Sequence, residues 1–148
     1  MDASEIVYGL AVPSDYDGIA FVAKQATREL GYTPPPVYRA SIDADEMVIA
    51  SYHGIVLGFI QFHRRRDNVV TIYKYAVDSN NRRLGIGAGM LDFLIRRMTY
   101  LRAEAIRLKV IEGTPAVDFY KAVGFNVIDS EPSKKTTLLV MKKELGDD

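Results

Sequence analysis

The sequence predicts an α/β (α+β) fold, a mixed sheet with helices packed on it. Three observations predict it. Apolar runs rich in β-branched and aromatic residues recur along the chain, the longest being Val69-Val70-Thr71-Ile72-Tyr73-Lys74-Tyr75-Ala76-Val77. Two other segments, Ile19 to Leu30 and Ile86 to Leu101, carry apolar residues at helical spacing. Between the long apolar run and the second of these lies a glycine-rich turn, Arg82-Arg83-Leu84-Gly85-Ile86-Gly87-Ala88-Gly89.

Taken in order, Ile6 to Val12 reads as a first strand that Pro13 stops. Ser14 is placed to cap a helix, with Asp17 three residues on as an acidic capping-box partner. Ile19, Val22, Ala23, Ala26 and Leu30 form its apolar face, and Gly31 suits its end. Pro34-Pro35-Pro36 predicts an extended loop, either a spacer or the wall of a pocket. Glu46 to Tyr52 and Ile55 to Phe62 read as strands joined by the turn signal His53-Gly54. Arg64 to Asn68 is a second turn, and Val69 to Val77 completes an antiparallel meander. After the glycine loop, Ile86, Met90, Leu91, Leu94, Ile95, Met98 and Leu101 fall on one helix side, with Arg96 and Arg97 facing away. Gly89 within that helix costs about 1 kcal/mol relative to alanine, so a strand or a ligand is expected to lie very close to it. Ala105 to Ile111 reads as a strand, and a strand–helix–strand return gives a parallel pair by a right-handed crossover. Thr114 and Pro115 open a short helix carrying Ala116, Phe119, Tyr120 and Val123. Gly124 ends it, Phe125 begins the next strand, and Thr136 to Met141 is the last.

Composition bounds the function. The chain has 148 residues, 48% hydrophobic, which fits a single globular domain over 1–148. Its 19 basic and 19 acidic residues balance, so the basic excess of a nucleic-acid binder is missing. Arg64-Arg65-Arg66 reads as a solvated hairpin turn rather than a binding patch. Absence of cysteine excludes disulfides, thiolate catalysis and cysteine zinc sites, and two histidines, His53 and His63, are too few for an ordinary metal cluster. No apolar stretch approaches the roughly 20 residues that span a bilayer. Met1-Asp2-Ala3-Ser4-Glu5 is acidic and unlike a signal peptide, so a cytoplasmic location is expected, with no membrane partner.

A strand, a glycine turn and a helix start make an anion cradle. Free backbone N–H groups and the positive end of the helix dipole converge there. Gly85 and Gly87 let the backbone approach a pyrophosphate, and Arg82 and Arg83 add positive charge. A triphosphate loop would need Gly-Lys-Ser/Thr, which is missing. A dinucleotide loop would need Gly-x-Gly-x-x-Gly, and here the third glycine, Gly89, falls one residue early. Coenzyme A remains.

Arg82-x-x-Gly85-x-Gly87 resembles the Arg/Gln-x-x-Gly-x-Gly/Ala signature of the GNAT superfamily of N-acetyltransferases. Ala116-Val117-Asp118-Phe119-Tyr120-Lys121-Ala122-Val123-Gly124-Phe125 is similar to that family's Ala-x-x-x-Tyr-x-x-x-Gly-Phe segment. The likeness covers the chain by element order and residues 70–126 by motif. It implies a mostly antiparallel six- to seven-stranded sheet flanked by about four helices, with a splayed parallel strand pair. It also implies acetyl-CoA as co-substrate, no metal, and direct attack by a primary amine in a ternary complex without an acyl-enzyme.

By the same resemblance, Tyr75, Ala76 and Val77 would pair with the pantetheine arm, and the Val77 N–H would serve as oxyanion donor. Arg82, Arg83, Leu84, Gly85, Ile86, Gly87 and Ala88 would hold the pyrophosphate. Thr114 and Phe119 would complete the coenzyme contacts, although relatives often carry asparagine where Thr114 stands, and Thr114 also reads as a helix cap. Tyr120 occupies the family's general-acid position; from pattern alone it also reads as a packed helix tyrosine. Many relatives place a glutamate on the strand before the loop, where this chain has Tyr73-Lys74-Tyr75. Glu112 is then the nearest base, with His63 another; each also reads as a surface group, and a water chain would serve. Tyr32, Tyr38, Tyr73 and Tyr75 are candidates to shape the acceptor pocket. Acceptors in reach are a polyamine, an aminoglycoside-like sugar, an amino acid, or a protein N-terminus or lysine; a homodimer is also compatible. The alternative is a catalytically weak or inactive CoA-binding module of the same fold that acts through a protein partner. Intact Arg82, Gly85, Gly87 and Tyr120 argue against it.

Overall fold

His53 and Gly54 adopt left-handed backbone conformations, with φ of 48° and 82°. Two such residues make the tight hairpin turn that matches strand twist. They join β2 (Met47–Tyr52) to β3 (Ile55–Arg64), which pair antiparallel from Met47↔Gln61 to Tyr52↔Ile55. The structure, a computed structural model, describes residues 1–146. Its strands β1 (Val7–Leu10), β2, β3, β4 (Val69–Val77), β5 (Ala105–Ile111), β6 (Asn126–Ser133) and β7 (Thr136–Glu144) form one sheet in the order β1-β2-β3-β4-β5-β7-β6. Only β4 and β5 run parallel, and the remaining neighbours are antiparallel. The helices are α1 (Tyr16–Gln25), a single turn α2 (Thr27–Leu30), α3 (Pro35–Asp43), α4 (Ile86–Tyr100) and α5 (Pro115–Ala122). The seven strands stand where the sequence predicts them.

The chain divides into two compact units, Met1–His63 with Tyr73–Arg97, and Arg64–Ile72 with the chain from Met98 onward. In the first, the core joins Ile19 and Val22 of α1, Tyr38 and Ile42 of α3, Met47 and Ile49 of β2, and Val56 and Phe59 of β3. Tyr38 meets Phe59 edge to face, with centroids 5.8 Å apart. Two expectations fail in this unit. Ser14 is not the cap of α1: the chain enters through a 3₁₀ turn over Pro13–Asp15, and it is Asp15 Oδ2 that accepts from the Val12 N–H at 2.8 Å. The tri-proline stretch is not a loop. Pro34 is extended (φ −60°, ψ 144°), and Pro35 and Pro36 start α3. A helix's first positions have no intrahelical acceptor for their N–H, so proline's missing donor is harmless there and its fixed φ favours the turn.

Close backbone approach explains the glycine inside α4. A Cβ on Gly89 would overlap the ring of Tyr8 from β1. The expected close neighbour is therefore a strand side chain. Gly58 of β3 plays the same part against Met90, whose Cε lies 2.9 Å from where a Cβ would stand. Met90, Leu91 and Leu94 are fully buried, as the amphipathic pattern requires.

In the second unit, β4 and β5 pair over Val69–Thr71 and Ala105–Arg107, whereas β5 and β7 pair along seven residues, Ala105↔Glu144 to Ile111↔Leu138. Ala105, Ile106, Leu108, Phe125, Val140 and Met141 are buried. The arginine turn is tied down locally. Arg64 donates from Nε to Asn68 Oδ1 and from a terminal nitrogen to Leu101 O, each at 2.8 Å, and Arg65 pairs with Asp67 at 3.0 Å.

Substituting Gly89 by alanine tests the Tyr8 contact by its sign. An open helix position would gain about 1 kcal/mol. Overlap with the ring instead predicts a loss of about 1–3 kcal/mol, recovered largely in Gly89→Ala/Tyr8→Leu, as read from urea unfolding of the four proteins.

Candidate active site

The first unit holds the glycine loop. At its entry, Asp78 follows β4 directly and is buried. Its N–H donates to Leu57 O at 2.7 Å, closing the strand against β3. Successive residues of an extended chain send their N–H groups to opposite edges, so the Val77 N–H points away from β3. The Asp78 carboxylate accepts from the Asn80 N–H at 3.0 Å and from Gln25 Nε2 at 3.4 Å. Gln25 Oε1 in turn accepts from the Ser79 N–H at 3.0 Å. A 3₁₀ turn over Ser79–Asn81 follows.

Arg83 and Gly85 then take positive φ, 71° and 76°. Gly85 needs glycine's freedom; Arg83 adopts the same region as a strained non-glycine. Arg82, Arg83 and Leu84 are exposed, Ile86 is buried, and the first helical bond of α4 runs from Gly89 N–H to Gly85 O at 2.9 Å. The N–H groups of Ile86, Gly87 and Ala88 precede that bond and have no intrahelical acceptor. Tyr75 donates its hydroxyl to Gly87 O, orienting the first turn. A Cβ on Gly87 would meet Tyr75 and Val77 only at ordinary contact, 3.5–3.8 Å. The free protein therefore has room for a methyl there. Gly87 is not demanded by the fold, so what it leaves open is approach from outside.

Near this loop's supporting helices lie two cavities within the same unit. One, of about 380 Å³, is walled by Tyr16, Ala20, Ala23, Thr27, Tyr32 and Tyr38, with Lys24 at its rim. The other, a groove of about 670 Å³, runs between α3 and the strands, with Glu46, Gln61, His63, Tyr73 and Lys74 along it. Tyr32 and Tyr73 are exposed, while Tyr38 is a core residue that reaches the first cavity with one edge. His63 Nδ1 lies 2.9 and 3.0 Å from the two oxygens of Glu46. With Nδ1 as the donor, Nε2 is left to carry the lone pair, a tautomer assigned from the bonding pattern. Lys74 donates to Leu30 O. The sequence reading names His63 but misses Glu46 as its partner; the β2–β3 register, which sets Met47 opposite Gln61, is the signal that would find it.

The second unit holds the other candidates. Tyr120 of α5 packs against Phe119 and Phe125, with centroids 5.3 and 5.6 Å away. Burial pushes its phenol up to about 12, because a phenolate would lose its hydration there. Tyr120 O receives the Phe125 N–H at 3.0 Å, which turns the chain from α5 into β6 through Gly124 (φ 101°). Thr114 holds the N-cap position of α5, but its hydroxyl does not cap the helix. It donates to Ile111 O at 2.8 Å instead, closing the turn after β5. Glu112 is exposed beside Ser133, Lys135, Thr136 and Thr137, its N–H bonded to Thr137 O at 2.9 Å. Among the described residues no group of three or more His, Cys, Asp or Glu is placed to hold a metal, and no helix is long and apolar enough to cross a membrane.

The family model described as "Acetyltransferase (GNAT) family" matches residues 17–125. No curated protein sequence matches the chain. Among solved structures, Ard1 from Thermoplasma volcanium is 21% identical, with 95% of this chain and 98% of that one covered and a TM-score of 0.84. YncA from Salmonella typhimurium, solved with acetyl-CoA, is 16% identical over 97% and 96%, TM-score 0.82. PaiA N-acetyltransferase from Thermoplasma acidophilum, solved with coenzyme A, is 16% identical over 94% and 98%, TM-score 0.78. At these identities the structures establish a shared fold.

The Tyr120 assignment has a pH signature. Its folded-state value lies above the ordinary 10.0, so the folded protein holds the proton longer than the unfolded chain does. The Tyr120 contribution to stability is therefore constant below pH 10 and falls as pH rises from 10 through about 12, by at most on the order of 2–3 kcal/mol. A phenolate absorbance titration should show one late step that Tyr120→Phe removes, and the variant's stability should fall less over that range.

Proposed function

This chain belongs to the GNAT family of acetyltransferases, and from that premise we propose that it moves the acetyl group of acetyl-CoA directly to a primary amine in a ternary complex. The observation that carries the reading is the start of α4, where three N–H groups without an intrahelical acceptor follow Gly85 at the end of the loop after β4. Such donors suit a pyrophosphate, since they combine N–H groups with the positive end of a fifteen-residue helix. Ile86, Gly87 and Ala88 supply these amides, Arg82, Arg83 and Leu84 form the outer turn, and Gly85 sets its direction. Tyr75, Ala76 and Val77 offer a strand edge to the pantetheine arm. Thr114 and Phe119 are further candidate coenzyme contacts, on the family resemblance. The whole chain, on this reading, acts as one acetyltransferase domain.

The amine nitrogen attacks the thioester carbonyl, the carbon–sulfur bond breaks, and the thiolate leaves as the amide forms. The Val77 N–H, aimed away from β3, is the proposed donor to the oxyanion; such a donor is typically worth about 3 kcal/mol of barrier. Tyr120 is the proposed donor to the sulfur. A phenol ionising near 12 is a weaker acid than a free thiol near roughly 8.5. It therefore stabilises the departing thiolate through a hydrogen bond, with little complete proton transfer. The attacking ammonium, with a value of about 10, must lose a proton first. Glu112, His63 with Glu46, or water takes it. The acceptor's own body fits the aromatic cavity beside α1, where Tyr32 and Tyr38 contribute.

The missing carboxylate on β4 favours one second reading, a CoA-binding module that acts through a protein partner. Thiol release from acetyl-CoA across a panel of amines separates the two: turnover with any class supports transfer, and CoA binding without thiol release from any amine supports the module. Tyr120→Phe should lower turnover about tenfold or more while leaving acetyl-CoA affinity nearly intact; equal turnover would remove Tyr120 from the mechanism. Gly87→Glu should abolish CoA binding through bulk and like charge, as read by calorimetry on a protein whose melting temperature is retained.

A further inference from the structure

Asp78 is a buried carboxylate at the junction of strand and loop. A charge in that position needs donors from elsewhere. One is the Asn80 N–H of the loop itself. Another comes from 53 residues away in sequence, the Gln25 side-chain amide at the C-terminal end of α1. The same amide takes the Ser79 N–H with its oxygen, so one side chain holds two consecutive loop residues through complementary donor and acceptor. Few side chains could do this. Glutamate would oppose the Asp78 carboxylate, lysine would lack the acceptor for Ser79, and asparagine is one methylene shorter.

The helix that carries Gln25 has a second duty. Its residues Ala20, Ala23 and Lys24, with Thr27 just beyond, line the aromatic cavity of about 380 Å³. At Ala26 the helix ends (φ −103°, ψ 14°), and the Thr27 hydroxyl bonds back to Lys24 O at 3.0 Å, which fixes the turn that presents Gln25 to the loop. The cavity wall and the loop's anchor are thus parts of one helix end. We propose that Gln25 is a positioning residue for the loop over 78–85, and that it couples occupancy of the α1 cavity to the grip of the loop on a pyrophosphate. The inference rests on the reading of that loop as a coenzyme A site. A ligand that settles α1 against the cavity keeps Gln25 on Asp78 and Ser79, and by linkage a bound coenzyme favours the closed cavity.

The test measures CoA affinity by calorimetry in four full-length proteins: wild type, Gln25→Met, Gln25→Glu, and Gln25→Glu/Asp78→Asn. Gln25→Met keeps the side chain's length and removes both bonds. Gln25→Glu keeps an acceptor for Ser79 and sets two carboxylates against each other. The double variant restores one carboxylate facing one amide, with donor and acceptor exchanged. Expected are a loss of about fivefold in Gln25→Met and about tenfold or more in Gln25→Glu, with the double variant within about threefold of wild type. A residue that merely packed would show no partner-specific recovery. Hydrogen exchange at the Ser79 amide should be faster in Gln25→Met than in wild type, a readout that needs no ligand. Wild-type binding with unchanged affinity in both single variants, or a double variant no better than Gln25→Glu, overturns the inference alone. A wild type that does not bind CoA overturns the reading of the loop and the inference with it. Unchanged Ser79 exchange in Gln25→Met overturns the clamp whatever the ligand result.

Discussion

The helix start that follows the loop at residues 78–85 can offer an anion only the N–H groups of residues 86–88, which lack an intrahelical acceptor. Any of these that found an internal partner would be lost to a ligand, so the loop that leads to them must be held by other groups. The chain resolves this by anchoring the loop at its two ends. At the entry, Asp78 is locked through its own N–H, its carboxylate and the Gln25 amide. At the exit, Gly85 O accepts the first helical bond and Tyr75 holds Gly87 O. Both anchors of the exit use carbonyls, so the N–H groups of residues 86–88 stay available. At this end acceptors are consumed and donors are spared, which is the polarity the proposed anion site requires.

Contacts that bring backbones together serve the same end in the first unit. Gly89 receives the Tyr8 ring and Gly58 lies against Met90, so β1 and β3 both reach α4 where a side chain would hold them off. A helix start whose direction is fixed by packing keeps its dipole aimed without help from a ligand. This also explains why glycine appears at three positions near the loop for different reasons. Gly85 is there for its φ, Gly89 for a neighbour inside the protein, and Gly87 for the space it leaves outside.

Much of this was legible in the sequence, and the failures have physical causes. The seven strands and the long α4 follow from β-branched and aromatic composition, from turn signals and, in α4, from helical period; a single buried face does not mark every strand, since β3 is buried along seven consecutive residues and β6 has none buried. The loop was legible because backbone recognition demands glycine. Helix α3 was not, since its opening reads Pro34-Pro35-Pro36; proline's local preference for extended structure hid its tolerance for a helix's first turn. Ser14 and Thr114 both carry the right residue type for a cap. Each lost that role to local geometry, Ser14 to a 3₁₀ entry closed by Asp15 and Thr114 to the Ile111 carbonyl. The Gln25–Asp78 pair joins residues distant in sequence, and no local pattern announces it.

A consequence for chemistry follows from where the tyrosine sits. Burial raises the phenol of Tyr120, packed against Phe119 and Phe125, to about 12, which makes it a poor acid. In the proposed transfer, such a donor would stabilise charge on sulfur as the carbon–sulfur bond stretches, without giving up its proton. The harder proton in that scheme is the one on the amine. At pH 7 an amine of value about 10 is neutral in roughly one molecule in a thousand, a deficit of about 4 kcal/mol that a fixed base would reduce by holding the proton locally. Tyr73-Lys74-Tyr75 supplies no carboxylate on β4, and Glu112 is exposed. In the proposed transfer that leaves the imidazole of His63, held by both oxygens of Glu46, as the candidate for a fixed base.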